Sequence, residues 1–235
     1  MISFALGSIL SLHSFALLLA YFHEADLIEV PFLDRILPAR KILTYYWLTF
    51  VIFLCIFHLA EFIVTACYNP RTLTADSFLI NHSKHYTIAI LLSCVEFWSR
   101  FTLFPVVNSV TFSFIGLFLV ILGQSTRWLA MQTCGESFNH IIQSRKKENH
   151  ILVTTGIYRY LRHPSYFGFY YWAVGTQIFC GNIISSILFA VASWMFFQER
   201  IPYEEKTLME HFPHKYPSYI KQSYIGIPFI ASVKS

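Results

Sequence analysis

Four stretches, Ile2–Phe22, Leu43–Cys67, Tyr86–Val106 and Asn108–Gln132, are each apolar over a length that spans a hydrocarbon core, which takes roughly 20 residues. A backbone in lipid must satisfy its own hydrogen bonds, so such runs are helices or strands of a closed barrel. No period-two alternation runs through them, which leaves helices. Two shorter runs, Phe167–Gly181 and Ile183–Glu199, meet at Gly181-Asn182 and read as a helical hairpin whose first arm is short for a full crossing. The composition agrees: 13% of residues are charged, where a soluble domain carries about 25%. The expected fold is an all-α integral membrane protein, a polytopic bundle of at least six helices. Ile2–Phe22 lacks a basic leader and a small-x-small cleavage site, so it reads as a retained helix and not a signal peptide. The Glu24–Arg40 stretch, with Val30-Pro31-Phe32-Leu33 and Ile36-Leu37-Pro38, is interfacial or holds a further short helix.

Two segments break the apolar pattern, Thr133–Tyr166 and Arg200–Ser235. A hairpin separates them, so they share one side of the membrane. The first carries Arg145, Lys146, Lys147, Arg159 and Arg162; the second carries Arg200, Lys206, Lys215, Lys221 and Lys234. The hairpin turn carries no charge, and the excess of positive residues puts both segments in the cytosol. The Asn69–His85 loop then faces the cytosol too. The Glu24–Ile42 loop falls on the lumenal side, although it holds Arg35, Arg40 and Lys41 against Glu24, Asp26, Glu29 and Asp34. Residues 1–235 are expected to form one domain, with membrane helices over 1–132 and a binding and catalytic region over 133–235 that includes the hairpin 167–199. A net charge of +4 without a basic stripe does not suggest nucleic acid. The five cysteines never reach C-x-x-C spacing, which suggests neither a zinc ribbon nor a redox pair, and no metal site is expected.

Soluble-enzyme signatures are missing. No G-x-G, P-loop, H-E-x-x-H or G-x-S-x-G occurs, so a nucleotide-like ligand would be held without a Rossmann domain. The run from His150 to Gly168 stands out instead. It is polar at first, turns at Gly156, and ends at Pro164, which suits the first turn of the next membrane helix. Amides at that helix start favour an anionic group. Arg162, His163 and Tyr166 add donors. The same residues also suit a plain interfacial anchor. Arg200 and Glu204 stand at i,i+4, the spacing of an ordinary salt bridge or of a paired site, with Pro202 expected to disturb the helix between them. His58 and Glu61, and Glu96 and Arg100, lie inside apolar runs. Charges at such depth are functional candidates, but mutual pairing accounts for them more simply. His140 is a better site candidate than His211 or His214, which belong to a solvated tail. The aromatic residues of the hairpin, including Trp172, Tyr170, Tyr171, Trp194, Phe196 and Phe197, serve helix packing or line a groove for an apolar chain.

The segment RHPSYFG at Arg162–Gly168, preceded by LVTTGIY at Leu152–Tyr158, resembles the cofactor-binding signature of the eukaryotic isoprenylcysteine carboxyl methyltransferase family. Phospholipid methyltransferases and sterol reductases carry similar R-H-P-x-Y-x-G segments. The wider resemblance favours the first family, through NPRTLTADSFLINHSKHYT at Asn69–Thr87, FNHIIQ at Phe138–Gln143 and GIPFI at Gly226–Ile230, and it runs from about His58 onward. It implies about six to eight membrane helices around a cytosol-facing cofactor site made by a loop and the C-terminal segment.

The resemblance also implies S-adenosyl-L-methionine as methyl donor, with S-adenosyl-L-homocysteine as product. The implied acceptor is the prenylated C-terminal cysteine of CaaX proteins such as small GTPases, met at the lipid of the endoplasmic reticulum membrane. Cofactor contacts are implied at Gln143, His150, Ile151, Leu152, Val153, Tyr158, His163, Pro164, Ser165, Tyr166 and Glu204, and the substrate contact at Arg200, so that Arg200 and Glu204 are the catalytic pair. A terminal carboxylate, with a pKa of about 3.5, is ionised at neutral pH, and no residue is assigned as a general base.

Overall fold

The structure, a computed structural model, describes residues 1–25, 27, 29, 38–80, 84–103, 108–142 and 151–233. Its helices are α1 (Ile2–Glu24), α2 (Pro38–Tyr68), α3 (Lys84–Leu103), α4 (Val110–Cys134), α5 (Pro164–Cys180), α6 (Ile183–His211) and the short α7 (Tyr216–Ile220), with single 3-10 turns between some of them. Three stretches, Ile2–Glu24, Arg40–Tyr68 and Val110–Ser137, are long and apolar enough to cross a membrane by length and composition. The described part of the Tyr86–Val106 run expected to span lies in α3, which is not among those three; α3 carries Lys84, His85, Glu96 and Arg100. The Val30–Leu33 and Ile36–Leu37 stretch lies outside the described residues. α5 has 17 residues, which at about 1.5 Å each gives ~26 Å and falls short of a ~30 Å core.

α4 and α5 pack backbone to backbone. A Cβ on Gly123 would lie 2.5 Å from the Gly168 carbonyl oxygen and from the Trp172 nitrogen, and a Cβ on Gly168 would lie 2.7 Å from the Arg127 nitrogen. Seven residues away on each helix, Gly116 and Gly175 repeat the approach. Small residues at such spacing let membrane helices reach van der Waals contact where lipid gives no hydrophobic drive for association. Around this seam Phe57 of α2 stacks on Trp172 at 4.2 Å between ring centres, and Val120, Ala173 and Phe189 complete the core.

The α5–α6 turn is set by Gly181 at φ 71 and held by α3. Glu96 accepts the amides of Ile184 at 2.9 Å and Ser185 at 2.7 Å, together with the Ser185 hydroxyl. Arg100 donates to the carbonyls of Cys180, at 3.0 Å, and Gly181. The expected pairing of Glu96 with Arg100 is therefore corrected. Each caps a helix end of the sign that its charge complements, the anion at an N-terminus and the cation at a C-terminus.

The two polar segments meet. The Arg162 amide donates to the Tyr224 carbonyl and the Tyr224 amide to the Tyr160 carbonyl, both at 2.9 Å. From there Ile225 and Ile227 bury themselves against Phe197 and Ile201 of α6, and Trp194 donates from Nε1 to the Pro228 carbonyl at 2.8 Å. The C-terminal segment thus straps the start of α5 to the later turns of α6.

Candidate functional site

One cavity of about 590 Å3 opens among α2, α3, α4, α5, α6, α7 and the segments 137–142 and 151–166. Its volume lies in the range that holds small-molecule ligands, roughly 300–1,000 Å3. One part of its wall is apolar, with Phe57, Leu79, Ala89, Phe189, Ala192 and Phe196. Another bears Tyr158, His163, Glu204, Tyr216 and Tyr219. Every site residue named from the sequence that lies within the described residues borders it: Ile151, Leu152, Val153, Tyr158, His163, Pro164, Ser165, Tyr166, Arg200 and Glu204. Gln143 and His150 lie outside the described residues.

Tyr166 stands at the centre. Its hydroxyl donates to Glu204 Oε2 and accepts from Arg200 Nε at 2.8 Å. Its ring lies parallel to His163, 5.5 Å away at 1°, and stacks on Phe197 at 4.9 Å. The Arg200 guanidinium also lies over the Tyr166 and Phe196 rings, 5.5 and 5.6 Å from their centres. The expected break at Pro202 is corrected here. α6 runs unbroken through Pro202, so Arg200 and Glu204 do share a helix face. They are nevertheless joined through Tyr166, not by a direct ion pair among the described residues.

Behind this layer lies a buried polar set. Arg162 donates from Nε to Glu205 Oε1 at 2.5 Å and from Nη1 to the Ser223 carbonyl at 2.6 Å. His163 Nε2 lies 3.3 Å from the same Glu205 oxygen. The Ser232 hydroxyl and the Val233 amide donate to Glu205 Oε2 at 3.0 and 2.9 Å. Burial alone would raise the Glu205 carboxyl, but bonds from His163, Arg162 and Val233 hold it at about 2. Arg162 is thus an anchor for the site wall and not an open donor at the boundary. The amides of Tyr166 and Phe167 both donate to the His163 carbonyl and Pro164 has none, so the helix start offers an anion fewer free amides than its sequence suggests.

A third cluster comes from the bundle. Arg127 makes a fork to Glu61, 2.5 Å to Oε1 and 2.9 Å to Oε2, and its Nη1 donates to the Ser165 hydroxyl at 2.9 Å and carbonyl at 3.1 Å. His140 Nε2 lies 2.9 Å from Glu61 Oε2. His58 bonds instead to the Phe78 carbonyl at 2.7 Å, so the expected His58–Glu61 pairing is corrected. His211, assigned to a solvated tail, borders the cavity at the end of α6, whereas His214 is exposed. Arg127, Glu205, Tyr216 and Tyr219 are cavity or supporting residues that sequence reasoning missed. For Arg127 a signal existed, since a lone cation inside an apolar run is costly without a partner.

The chemistry of the wall suits a polar, nucleoside-sized ligand. Burial, with Cys134 beside it, pushes the Tyr158 phenol up, so it remains a donor. Tyr216 is fully buried and its hydroxyl has no hydrogen-bond partner among the described residues. An orphaned buried hydroxyl is costly unless something satisfies it, and Tyr216 borders the cavity. Glu204 supplies a partly exposed carboxylate, with its side chain 25% accessible. No group of three or more metal-ligating side chains occurs among the described residues.

Comparison with known proteins places these residues in context. The model of the isoprenylcysteine carboxyl methyltransferase family matches residues 115–210. The chain is 46% identical over 186 residues to a protein-S-isoprenylcysteine O-methyltransferase of Xenopus laevis, covering 79% of this chain and 65% of that protein. It is 44% identical over 177 residues to the one of Dictyostelium discoideum, covering 75% of each. It therefore spans about two thirds to three quarters of the length of these curated relatives. A solved structure of a eukaryotic intramembrane Ras methyltransferase superposes with a TM-score of 0.80 at 40% identity, over 86% of this chain and 72% of that one.

Proposed function

Because the chain belongs to the isoprenylcysteine carboxyl methyltransferase family, we propose that it methylates the C-terminal α-carboxylate of prenylated cysteine in processed CaaX proteins, small GTPases among them, with S-adenosylmethionine as donor. The observation that carries this reading is the convergence of the motif residues 151–153, Tyr158 and 162–166 with Arg200 and Glu204 around one cavity lined by both polar and apolar side chains.

Bound there, S-adenosylmethionine supplies an electrophilic methyl group and leaves as S-adenosylhomocysteine. The residues of the chain do the positioning. Glu204 accepts from ribose hydroxyls or an ammonium. Tyr158, Tyr166 and the aliphatic Ile151-Leu152-Val153 run pack an adenine ring. His163, with the backbone at Pro164 and Ser165, faces the carboxylate end. Gln143 and His150 complete the set by resemblance. Arg200 aims the acceptor carboxylate with a planar fork that a lysine does not reproduce. That carboxylate is ionised at neutral pH, so no side chain has to remove a proton. What remains is to hold the nucleophile in line and to strip its water. The apolar wall formed by Phe57, Leu79, Ala89, Phe189, Ala192 and Phe196 gives the prenyl chain a route from lipid. A site at the cytosolic boundary of the endoplasmic reticulum membrane serves a polar donor and an apolar acceptor at once.

The test is transfer of labelled methyl from S-adenosylmethionine to an N-acetylated farnesylcysteine, with phosphatidylethanolamine and a sterol as rival acceptors. A base-labile methyl ester on the farnesylcysteine is expected. Label on the phospholipid amine, or none at all, overturns the reading.

A further inference from the structure

The mechanism above uses neither Glu61 nor His140, yet both are tied to Arg200 by an unbroken chain of contacts. Arg200 Nη2 donates to the His140 carbonyl at 2.6 Å. The His140 ring reaches back to Glu61 Oε2 at 2.9 Å. Glu61, 1% exposed, is locked in turn by the Arg127 fork. The segment that bears the His140 carbonyl is pinned a second time from the residue just past α2, where Asn69 Nδ2 donates to the Phe138 carbonyl at 2.8 Å. Glu61 of α2 and Asn69 just past its end thus fix a loop carbonyl, and that carbonyl fixes one edge of the guanidinium. The Tyr166 hydroxyl takes Nε. Among the described residues, Nη1 of Arg200 has no hydrogen-bond partner, and Arg200 lines the cavity.

We propose that Glu61 and His140 are positioning residues that hold Arg200 with its Nη1 edge turned to the acceptor, and so set the selectivity for a carboxylate over a neutral chain end. The inference rests on the acceptor proposed above. A long arginine side chain left free samples many rotamers, and each productive contact then bears the cost of ordering it. A fixed donor edge discriminates more sharply, because a ligand lacking the charge leaves the donor unmatched. The Glu61–Arg127 pair is internally neutral. It can therefore brace the loop without setting a second net charge against the incoming carboxylate.

The experiment uses the full chain in lipid nanodiscs and two competitive probes, N-acetyl farnesylcysteine and its primary amide, against wild type, His140→Ala, His140→Gln and Asn69→Ala. Wild type is expected to bind the acid well above the amide. In His140→Ala, affinity for the acid falls about tenfold and that for the amide stays put, so the ratio collapses. His140→Gln, whose amide nitrogen can occupy the imidazole position and bond Glu61, restores the ratio. Asn69→Ala, which frees the same loop from its other anchor, lowers the ratio by a smaller factor. Affinity for S-adenosylhomocysteine stays unchanged in all of them and reports that the fold is intact. If acid and amide weaken in parallel, or the ratio survives in both alanine variants, the positioning role is overturned while the proposed function stands. A wild type with no preference for the acid overturns both.

Discussion

Arg200 and Glu204, one turn apart on α6, are joined through the hydroxyl of Tyr166, which accepts from Arg200 Nε at 2.8 Å and donates to Glu204. One phenol thus couples the residue assigned to the acceptor with the residue assigned to the donor. Tyr166→Phe keeps the stack on Phe197 and cuts both bonds. Bonds to charged groups contribute about 1.5–3 kcal/mol each, so kcat/KM is expected to fall by about 10–100-fold, with poorer affinity for both ligands. Steady-state kinetics with each ligand varied in turn decides this; an effect confined to one ligand contradicts the coupling.

Arg200→Lys and Glu204→Ala separate the two roles. The lysine variant is expected to raise KM for the prenylcysteine acceptor and lower turnover while S-adenosylhomocysteine binding, read by calorimetry, is retained. The Glu204→Ala variant does the reverse and loses roughly tenfold in cofactor affinity, the cost of about one hydrogen bond.

Tyr216→Phe removes a hydroxyl without a partner among the described residues. The ligand-free protein is expected to melt at the same temperature or higher, because an unsatisfied buried group has been deleted. Its stabilisation by S-adenosylhomocysteine shrinks in the same thermal assay. A drop in ligand-free stability instead shows that the hydroxyl is already satisfied.

Acid stability reports on Glu205, which lies past the apolar arm of α6. Its carboxyl is held at about 2 in the folded protein, against about 4.3 in an unfolded chain. The folded state therefore binds the proton less readily. The stabilisation, on the order of 3 kcal/mol, is complete above the unfolded value and is lost as pH falls from about 4.3 through about 2. Glu205→Gln is expected to unfold at lower denaturant concentration at pH 7 and to lose the part of the acid dependence that falls between those two values.

Gly168 closes the R-H-P-x-Y-x-G motif, and its place there is a matter of packing. A Cβ would fall 2.6 Å from the Gly123 carbonyl oxygen and 2.7 Å from Arg127 Cβ. Gly168→Ala is expected to cost about 1–3 kcal/mol through overpacking and to shift the Ser165 carbonyl and hydroxyl that Arg127 holds. Lower yield of folded protein in detergent, together with weaker cofactor binding, tests this.

These residues show what a sequence discloses about a membrane site. The apolar runs, the Gly181-Asn182 turn and the 151–166 motif are local patterns, with periods and compositions that physics ties to lipid and to helix starts. Glu96 and Arg100 misled because i,i+4 spacing marks proximity on one helix and says nothing of a neighbour whose ends need capping. Glu61 and Arg127 are 66 positions apart. Only the tertiary fold makes them a pair, since local spacing sets Glu61 beside His58 instead. Pro202 misled in another way, because α6 absorbs it and continues.

The contact between α4 and α5 also has a mechanical side. Side chains wedged between helices act as padding that can rotate and compress, and two backbones in direct contact have none. Joined at Gly116, Gly123, Gly168 and Gly175, the pair behaves as a single stiff plank, and the turn bearing Pro164, Ser165 and Tyr166 rides on it. Compliance has to come from the opposite wall, where α3 and α6 present side chains. One face of the cavity is thus an anvil, and what adaptability the cavity has belongs to the other.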